Sequence, residues 1–384
     1  MLAALAAPVC AQSPQWTHET LHGRPAFVLS NGVIRVSVLS GGGHIAEVRF
    51  LQGDAKRTVN PMRVPHYQTI DPQTYDPAKH DALYGDSSHR WLSSGYMGHL
   101  LNFPVFGPPS SEHEIRNGLG NHGEAPIVEW KLVNSAATAE SVVLDVEAEL
   151  RRTRFRVGRR FTLKAQAASV HVEEWVENLE PYDRPVNWMQ HATFGPPFAE
   201  PGKMFLDTDA TRGEMAGAPG ELRWPELAGA SARPFQPEPR SGRYIAWRLD
   251  PARSEHFFTM YHSGFPVLIG YLFPETDNPW LGDWQENQRN TPKPWDGKAV
   301  ARGIEFGSTP FAEGLRKSVE RGKMFETATY RWIGGYERLR TEFTIFLAEI
   351  PADFRGAAGV SRSGPAIYIR ETGAGRTIPV SGGR

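Results

Sequence analysis

Three side chains suited to acid–base chemistry lie in distant parts of the sequence. Glu305 stands between Gly303 and Gly307 in a stretch typical of a strand end, and His122 and His191 occur far upstream. A carboxylate can act as a general base and an imidazole as a general acid near neutral pH. Sugar ring chemistry needs that combination. Taken one at a time, a Glu of this kind is more often a solvated carboxylate, and a lone His is more often a hydrogen-bonded structural residue.

Aromatic and polar residues accompany these candidates. Trp188, Trp280, Trp284 and Trp295 fall in or beside irregular segments. Indole offers a flat apolar surface with one hydrogen-bond donor, which suits the apolar face of a sugar ring. Polar side chains nearby can bind hydroxyl groups. The predicted substrate-binding residues are Trp188, Gln190, Trp280, Asp283, Trp284 and Arg302.

Other chemistries find less support. Glu112-His113-Glu114, His122-Gly123-Glu124 and His99 offer imidazole and carboxylate groups, but no spacing matches the His-Glu-x-x-His helix of zinc enzymes. A glycine-rich phosphate loop and a Gly-x-Ser-x-Gly elbow are both missing from the sequence. We therefore predict no metal and no redox or nucleotide cofactor.

Composition excludes some partners. The 384 residues include 40% hydrophobic residues, which is typical of a globular protein. The 42 basic and 43 acidic residues nearly balance, which argues against a nucleic-acid partner. No apolar run after the N-terminus approaches the roughly 18 residues of a membrane span.

The N-terminal residues resemble the end of an export signal. An apolar run is followed by Val9-Cys10-Ala11 before the polar Gln12. We interpret residues 1–11 as the remnant of a signal peptide and expect a periplasmic or secreted protein. Cys10 is the only cysteine, so cleavage after Ala11 would leave a chain without thiols.

Alternation with a period of two dominates the rest of the chain and predicts an all-β fold. Asn31-Gly32 is a hairpin signal before one of the strands. Residues 311–320 are the best helix candidate, and it is short. The expected strands lie at 33–38, 141–148, 154–157, 169–173, 243–249, 256–262, 266–273, 326–333 and 341–348.

Three long segments do not look like strands. Residues 52–120, 196–240 and 274–300 are rich in Pro and Gly, yet they carry many aromatic residues. We expect ordered loops that build a cleft. No composition break suggests a linker, so residues 25–350 are predicted to form a single domain. Residues 351–384 would be a C-terminal extension, with a loose tail from about residue 371.

The candidate residues, taken in order, resemble the galactose mutarotase-like superfamily, which includes the aldose 1-epimerases. His122-Gly123 with Trp130 is similar to the family's His-Gly segment before a strand. His191 with Phe194 is similar to its His-x-x-Phe segment, although Thr193 stands where the family usually has Tyr. Glu305 with Thr309-Pro310 is similar to its C-terminal Glu and turn. The resemblance spans roughly residues 25–350.

The resemblance implies a large antiparallel β-supersandwich with long irregular loops and a sugar site on its concave face. It implies that Glu305 is the general base, that His191 is the general acid, and that His122 binds or assists. The expected reaction is the interconversion of sugar anomers, with a mono- or oligosaccharide as substrate and no cofactor.

Two other functions remain open at this point. A glycoside hydrolase or polysaccharide lyase-like enzyme can use the same fold, with Asp283 or Glu286 as a second carboxylate. A non-catalytic periplasmic glycan-binding protein would keep the tryptophans and would not need Glu305. Metal-dependent hydrolysis is a third possible function, with less support from the sequence than the other two.

Overall fold

The computed structural model describes residues 13–227, 229–373 and 375–381. The proposed signal-peptide remnant at residues 1–11, with Cys10, lies outside the described residues. The described chain is mostly β structure, as predicted. None of the described helices is long and apolar enough to cross a membrane.

The strands, in chain order, have the following bounds. The first half contains β1 (Gln15–Leu21), β2 (Arg24–Ser30), β3 (Ile34–Leu39), β4 (Ile45–Phe50), β5 (His99–Asn102), β6 (Lys131–Ala137), β7 (Ser141–Leu150), β8 (Phe155–Lys164), β9 (Ser169–Asn178), β10 (Arg184–Val186) and β11 (Met189–Phe194). The second half contains β12 (Met204–Thr208), β13 (Ala210–Met215), β14 (Ala218–Arg223), β15 (Glu226–Leu227), β16 (Ala230–Ser231), β17 (Ser241–Leu249), β18 (Glu255–His262), β19 (Val267–Pro274), β20 (Trp280–Asn287), β21 (Val300–Gly307), β22 (Lys323–Met324), β23 (Thr327–Ala328), β24 (Arg331–Ile333), β25 (Arg338–Glu349), β26 (Ala357–Ser363), β27 (Ala366–Glu371) and β28 (Thr377–Pro379).

Helices are few and short. They are α1 (Pro77–Tyr84), α2 (Arg90–Gly95), α3 (Glu112–Arg116) and α4 (Leu315–Arg321), with 3-10 turns at Pro72–Thr74 and Ala125–Ile127. Three of the four helices in the described ranges lie in the segment 52–120, which was predicted to form ordered loops. The last one matches the predicted helix at 311–320, displaced by a few residues.

Two large antiparallel sheets pack face to face. One has eleven strands in the order β1-β2-β3-β4-β5-β11-β21-β20-β17-β13-β14, and the other has eight in the order β12-β18-β19-β25-β9-β8-β7-β6. Inward-facing side chains of both sheets form one hydrophobic core, in which Ile304 and Phe194 of the first sheet join Phe161 and Ile345 of the second. This arrangement confirms the predicted all-β supersandwich.

The core is aromatic beneath the middle of the larger sheet. Phe306 of β21 stacks on Phe273 of β19 with ring centroids 4.1 Å apart. Tyr271 and Phe343 contact the same Phe306 ring at 5.8 Å. Because aromatic pairs add to the free energy of burial, these contacts fix the height and direction of β21 against the second sheet.

Some strands occur in segments whose sequences predicted loops. Strand β20 lies within the segment 274–300, and β12 to β16 lie within 196–240, both of which were predicted to be loops. Four residues of β20 are polar and nevertheless buried: Asp283, Gln285, Glu286 and Asn287. A polar strand that is buried on both faces breaks the alternation on which the prediction relied.

The chain beyond residue 350 is folded onto the second sheet. Strands β26, β27 and β28 form a three-stranded sheet. Its residues Val360, Ile367 and Ile369 pack against Leu268 and Phe346 on the outer face of the eight-stranded sheet. Residues 377–379 form a strand, although the tail was predicted to be loose from about residue 371.

We expect Ile369→Ala to lower the free energy of unfolding by about 2–5 kcal/mol, because it removes a fully buried side chain from this contact. Urea unfolding of the full-length chain measures the change. Ser361→Ala, at an exposed position of β26, is the matched control. An equal stability of the two variants would contradict a stabilising role for the C-terminal sheet.

Candidate active site

Glu305 and His191 are in direct contact on neighbouring strands. They are paired residues in the register between β11 and β21. The Nε2 atom of His191 lies 2.7 Å from Oε1 of Glu305. The residues are only 3% and 2% exposed. The pair therefore forms a hydrogen bond that is largely removed from solvent, where electrostatic interactions are strong.

The pairing register places the pair on the outer face of the larger sheet. Successive side chains of a strand point to opposite faces. His191, Thr193 and Glu305 consequently share the outer face, whereas Ile304 and Phe306 enter the core between the sheets. One strand thus carries both the candidate base and the side chains that anchor it.

Two glycines make room for the pair. A Cβ atom on Gly303 would lie 2.7 Å from Cε1 of His191 and 2.9 Å from Cε3 of Trp284. A Cβ atom on Gly282 of β20 would overlap the Tyr244 hydroxyl and lie 3.1 Å from Oε2 of Glu305. Gly303, two residues before Glu305, is therefore explained by the close approach of His191 and Trp284.

The pair lies in a cleft of about 450 Å³, within the usual size range of small-molecule sites. The walls come from α2, from the segment that ends at His122, from the loop between β20 and β21, and from β17. Glu305 is the only carboxylate among the lining residues in the described part of the chain. The other lining residues are Ser87, His89, Leu92, Ser93, Tyr96, Gly107, Pro108, Asn121, His122, His191, Tyr244, Trp284, Asn290, Pro292, Lys293, Trp295 and Ala312.

His122 is held as a neutral hydrogen-bond donor beside the pair. Its ring stacks on Phe106, and its centroid lies 5.5 Å from that of His191. The backbone N–H of Gly107 donates to its Nδ1 over 3.2 Å, so the ring proton resides on Nε2. Burial, with the nearby His191, holds the pKa of His122 well below its usual range. His122 can therefore donate from Nε2 without carrying a charge.

The second oxygen of Glu305 is free to accept a proton. Oε2 is buried and has no hydrogen-bond partner among the described residues. The Tyr244 hydroxyl lies near it and donates to the Pro310 carbonyl over 3.0 Å. Burial and the charge of Glu305 raise the pKa of Tyr244 well above its usual value, so Tyr244 stays protonated.

Two tryptophans form an aromatic corner of the cleft. The ring of Trp284 meets His191 edge-on at 5.9 Å and Trp295 edge-on at 6.2 Å. The guanidinium group of Arg63 lies between Trp295 and Tyr96, 4.6 Å from each ring centroid. This stacking fixes both aromatic walls, and the indoles present flat apolar surfaces to a ligand.

The structure places Asp283 and Arg302 away from the cleft. Both side chains are fully buried on the inner face, where two Arg302 nitrogens lie 2.9 Å from the Asp283 oxygens. Arg302 also donates to the carbonyls of Ala232 and Arg233 over 2.8 Å. The pair ties β20 and β21 to the segment after β16, so its contacts are structural and none is with the cleft.

Gln190 and Trp188 also lie beneath the cleft and outside its lining. Gln190 donates to Glu174 over 2.6 Å and accepts from Arg159 over 2.9 Å, while Nε1 of Trp188 donates to Glu174. Arg159 and Glu174 form a fully buried ion pair at 2.6 Å. Gln190 is adjacent to His191 in sequence, but the alternation of the strand turns it to the opposite face.

Trp280 shares the outer face of β20 with Trp284 but is covered. Its Nε1 donates to the Ala328 carbonyl over 2.8 Å, and its ring packs with Phe311 and Met324. Of the six predicted substrate-binding residues, the structure therefore brings only Trp284 into the cleft. All three predicted catalytic residues are there.

Several cleft residues were not singled out from the sequence. Tyr96 follows α2 in a segment without clear periodicity, and Tyr244 lies on a predicted strand whose neighbour was unknown. The pairing of Tyr244 with Trp284 is a property of the sheet order. Within the described ranges, no three His, Cys, Asp or Glu side chains cluster as metal ligands.

We expect Asp283→Asn to destabilise the fold by about 3–5 kcal/mol, because it leaves the buried Arg302 without a counter-charge. Chemical unfolding measures the change. Asp353→Asn, which alters an exposed ion pair with Arg376, should leave the stability unchanged. A wild-type stability for Asp283→Asn would contradict the structural role of the buried pair.

We also expect stability to fall as the pH decreases below about 6.5. His44 and His99 are fully buried and His122 is half-buried, and the loss of solvent around each ring holds its pKa well below the usual range. The unfolded chain therefore binds more protons than the native state in this range, which costs about 1.4 kcal/mol per pH unit for each histidine. Thermal unfolding between pH 7 and pH 5 tests the sign. A constant or rising stability would contradict it.

Comparisons with known proteins identify the fold. No family model matches the sequence, and no curated protein matches it. A candidate aldose 1-epimerase from Klebsiella pneumoniae subsp. pneumoniae superposes with a TM-score of 0.61 at 12% identity, covering 86% of this chain and 83% of that one. A galactose mutarotase-like protein from Clostridium acetobutylicum gives 0.58 at 12% identity, covering 88% and 99%. A galactose mutarotase related enzyme from Lactobacillus acidophilus gives 0.52 at 13% identity, covering 85% and 99%. The chain therefore has the galactose mutarotase-like fold.

Proposed function

We propose that the protein interconverts the α and β anomers of a sugar, with Glu305 as general base and His191 as general acid. The observation that carries this proposal is the buried 2.7 Å contact between these two side chains in the cleft. It joins a carboxylate that has one unpartnered oxygen to an imidazole that can donate a proton.

The reaction would proceed through the open-chain aldehyde. Oε2 of Glu305 takes the proton of the anomeric hydroxyl while Nε2 of His191 gives its proton to the ring oxygen. The bond between the anomeric carbon and the ring oxygen breaks, and its electron pair stays on that oxygen. Rotation of the aldehyde and reversal of both proton transfers close the ring as the other anomer.

The surrounding residues fit this chemistry. A neutral His122 can donate from Nε2 to a sugar oxygen, and the indole of Trp284 can lie against the apolar face of the ring. Tyr244 stays protonated beside Glu305 and so does not compete with it as a base. These groups bind and orient the sugar, and the two proton transfers remain with Glu305 and His191.

Glycosidic bond hydrolysis is less well supported. That reaction generally requires two carboxylates on either side of the scissile bond. Asp283 is bound to Arg302 inside the sandwich, and Glu286 accepts hydrogen bonds from Arg289 and Asn290 without lining the cleft. A positioned acid and base each contribute about 10²–10⁴-fold, which suits the low barrier of anomer exchange.

A glycan-binding protein without catalysis would use the same aromatic cleft. It would not need a buried carboxylate with an unpartnered oxygen, paired to an imidazole, in that cleft. The two functions differ in what Glu305→Gln does, because the amide keeps the shape of the side chain and cannot accept the proton.

We expect wild-type protein to accelerate the relaxation of freshly dissolved α-anomers, and we expect Glu305→Gln to slow this reaction by about 10²–10⁴-fold. Proton NMR on a panel of aldoses measures the rates, and saturation-transfer NMR measures binding by the variant. Binding should persist, since only the proton acceptor is removed.

Glu342→Gln is the matched control, because Glu342 is exposed on the other sheet. It should relax sugars at the wild-type rate. If no aldose is accelerated by the wild type, the proposed reaction is wrong and oligosaccharide binding becomes the function to test. If Glu305→Gln retains the full rate, Glu305 is not the base.

We further propose that the protein acts in the periplasm or outside the cell. This proposal rests on residues 1–11 alone. Mass spectrometry of the native protein tests it: a mature chain that begins at Gln12 is expected, and a retained Met1 would contradict export by cleavage.

A further inference from the structure

Two hydroxyl groups continue the hydrogen bonding of His191 on the side away from Glu305. Oγ1 of Thr193 lies 2.9 Å from Nδ1 of His191, and the Tyr96 hydroxyl lies 2.6 Å from Oγ1 of Thr193. The Tyr96 hydroxyl is also 3.3 Å from Nε2 of His191. Thr193 is fully buried and Tyr96 is 4% exposed. The oxygen of Thr193 thus has one partner on each side.

The protons of this chain can be arranged in two ways. When His191 is neutral with its proton on Nε2, Nδ1 is an acceptor. Thr193 then donates to Nδ1, and Tyr96 donates to Thr193. When His191 carries protons on both nitrogens, Nδ1 donates to Thr193 instead. Thr193 can then donate to Tyr96, which frees the Tyr96 proton to point into the cleft.

The second arrangement is the one that acid catalysis requires. A neutral His191 that gave up its Nε2 proton would have to draw another proton through Thr193 from Tyr96, leaving a phenolate. Burial raises the pKa of Tyr96 well above its usual value, which opposes that transfer. A doubly protonated His191 can give up the same proton and remain neutral.

We propose that Thr193 and Tyr96 are positioning residues that supply the acceptor for Nδ1–H and so hold His191 as an imidazolium whose Nε2 proton can be given to the ring oxygen of the sugar. This inference rests on the proposed function, because it assigns the acid of that reaction its active protonation state. Hydrogen bonding to a charged form favours that form. Without the two hydroxyls, the imidazolium would have a buried donor with no partner.

Other groups around His191 also bear on its protonation. Oε1 of Glu305 lies 2.7 Å from Nε2 of His191, and the guanidinium group of Arg63 lies behind Tyr96, 4.6 Å from its ring centroid. His99, which is buried, and His122, which is half-buried, have lowered pKa values and remain neutral, and Tyr244 remains protonated. Among the described residues, Glu305 is the one carboxylate that contacts His191, so the hydroxyl groups of Thr193 and Tyr96 are the remaining local support for the charge.

The test compares Thr193→Val, Thr193→Ser and Tyr96→Phe in the full-length protein. Nitrogen-15 NMR of labelled histidine follows the titration of His191, which is assigned by its loss in His191→Asn. We expect Thr193→Val to lower the His191 titration midpoint by about one to two pH units, the size expected for losing one hydrogen bond to a charged group. Tyr96→Phe should shift it less in the same direction, and Thr193→Ser should restore the wild-type value.

The alkaline limb of the anomer-exchange rate should move with the same midpoint in each variant. Thr341→Val is the matched control, because it removes a buried hydroxyl from the other sheet. Identical titration of His191 in the wild type, Thr193→Val and Tyr96→Phe would overturn the inference. If Thr193→Val does not fold, Tyr96→Phe and Thr193→Ser decide it.

The two proposals fail separately. If Thr193→Val shifts the His191 titration midpoint but the wild type exchanges no anomers, the role of the two hydroxyl groups is supported and the proposed reaction is wrong. If the protein exchanges anomers and the pH profile of the rate is the same in the Thr193 and Tyr96 variants, the proposed reaction is supported and the role of the two hydroxyl groups is contradicted.

Discussion

The pairing register between β11 and β21 is the constraint on which the site depends. It sets His191 opposite Glu305 on one face of the sheet and sends Phe306 into the aromatic core on the other. A slip of one residue would exchange the two faces and bury the carboxylate among phenylalanines. The free energy of core packing therefore also holds the candidate acid and base together.

Buried charge beneath the sheet stabilises the same strands. Glu174 of the second sheet receives hydrogen bonds from Arg159, Trp188 and Gln190, and Arg302 is held by Asp283. Such pairs gain little net stability over apolar packing, but removing one partner costs several kcal/mol. Their geometry fixes how the strands of the site sit over the second sheet, which is why polar residues next to catalytic candidates can be structural.

The outer face depends on segments without regular structure. The segment that ends at His122, the turn after α2 with Tyr96, and the loop with Trp295 close around the acid–base pair and remove it from water. Low exposure strengthens the hydrogen bonds of the site. It also makes each unsatisfied donor costly, so the hydroxyl groups of Thr193 and Tyr96 matter more here than they would at a surface.

The sequence by itself determined the all-β class, several strands of the two sheets and the three candidate catalytic residues, since alternation and unusual local settings can be read from the order of the residues alone. It did not separate His191 from its neighbour Gln190, or Glu305 from Arg302 on the same strand, because residues that point to opposite faces of a strand look equally suitable until the buried face is known. Tyr96 and the polar strand β20 also escaped prediction. Only the tertiary structure decided which face of each strand is covered, and that choice depends on long-range pairing and packing that no local pattern records.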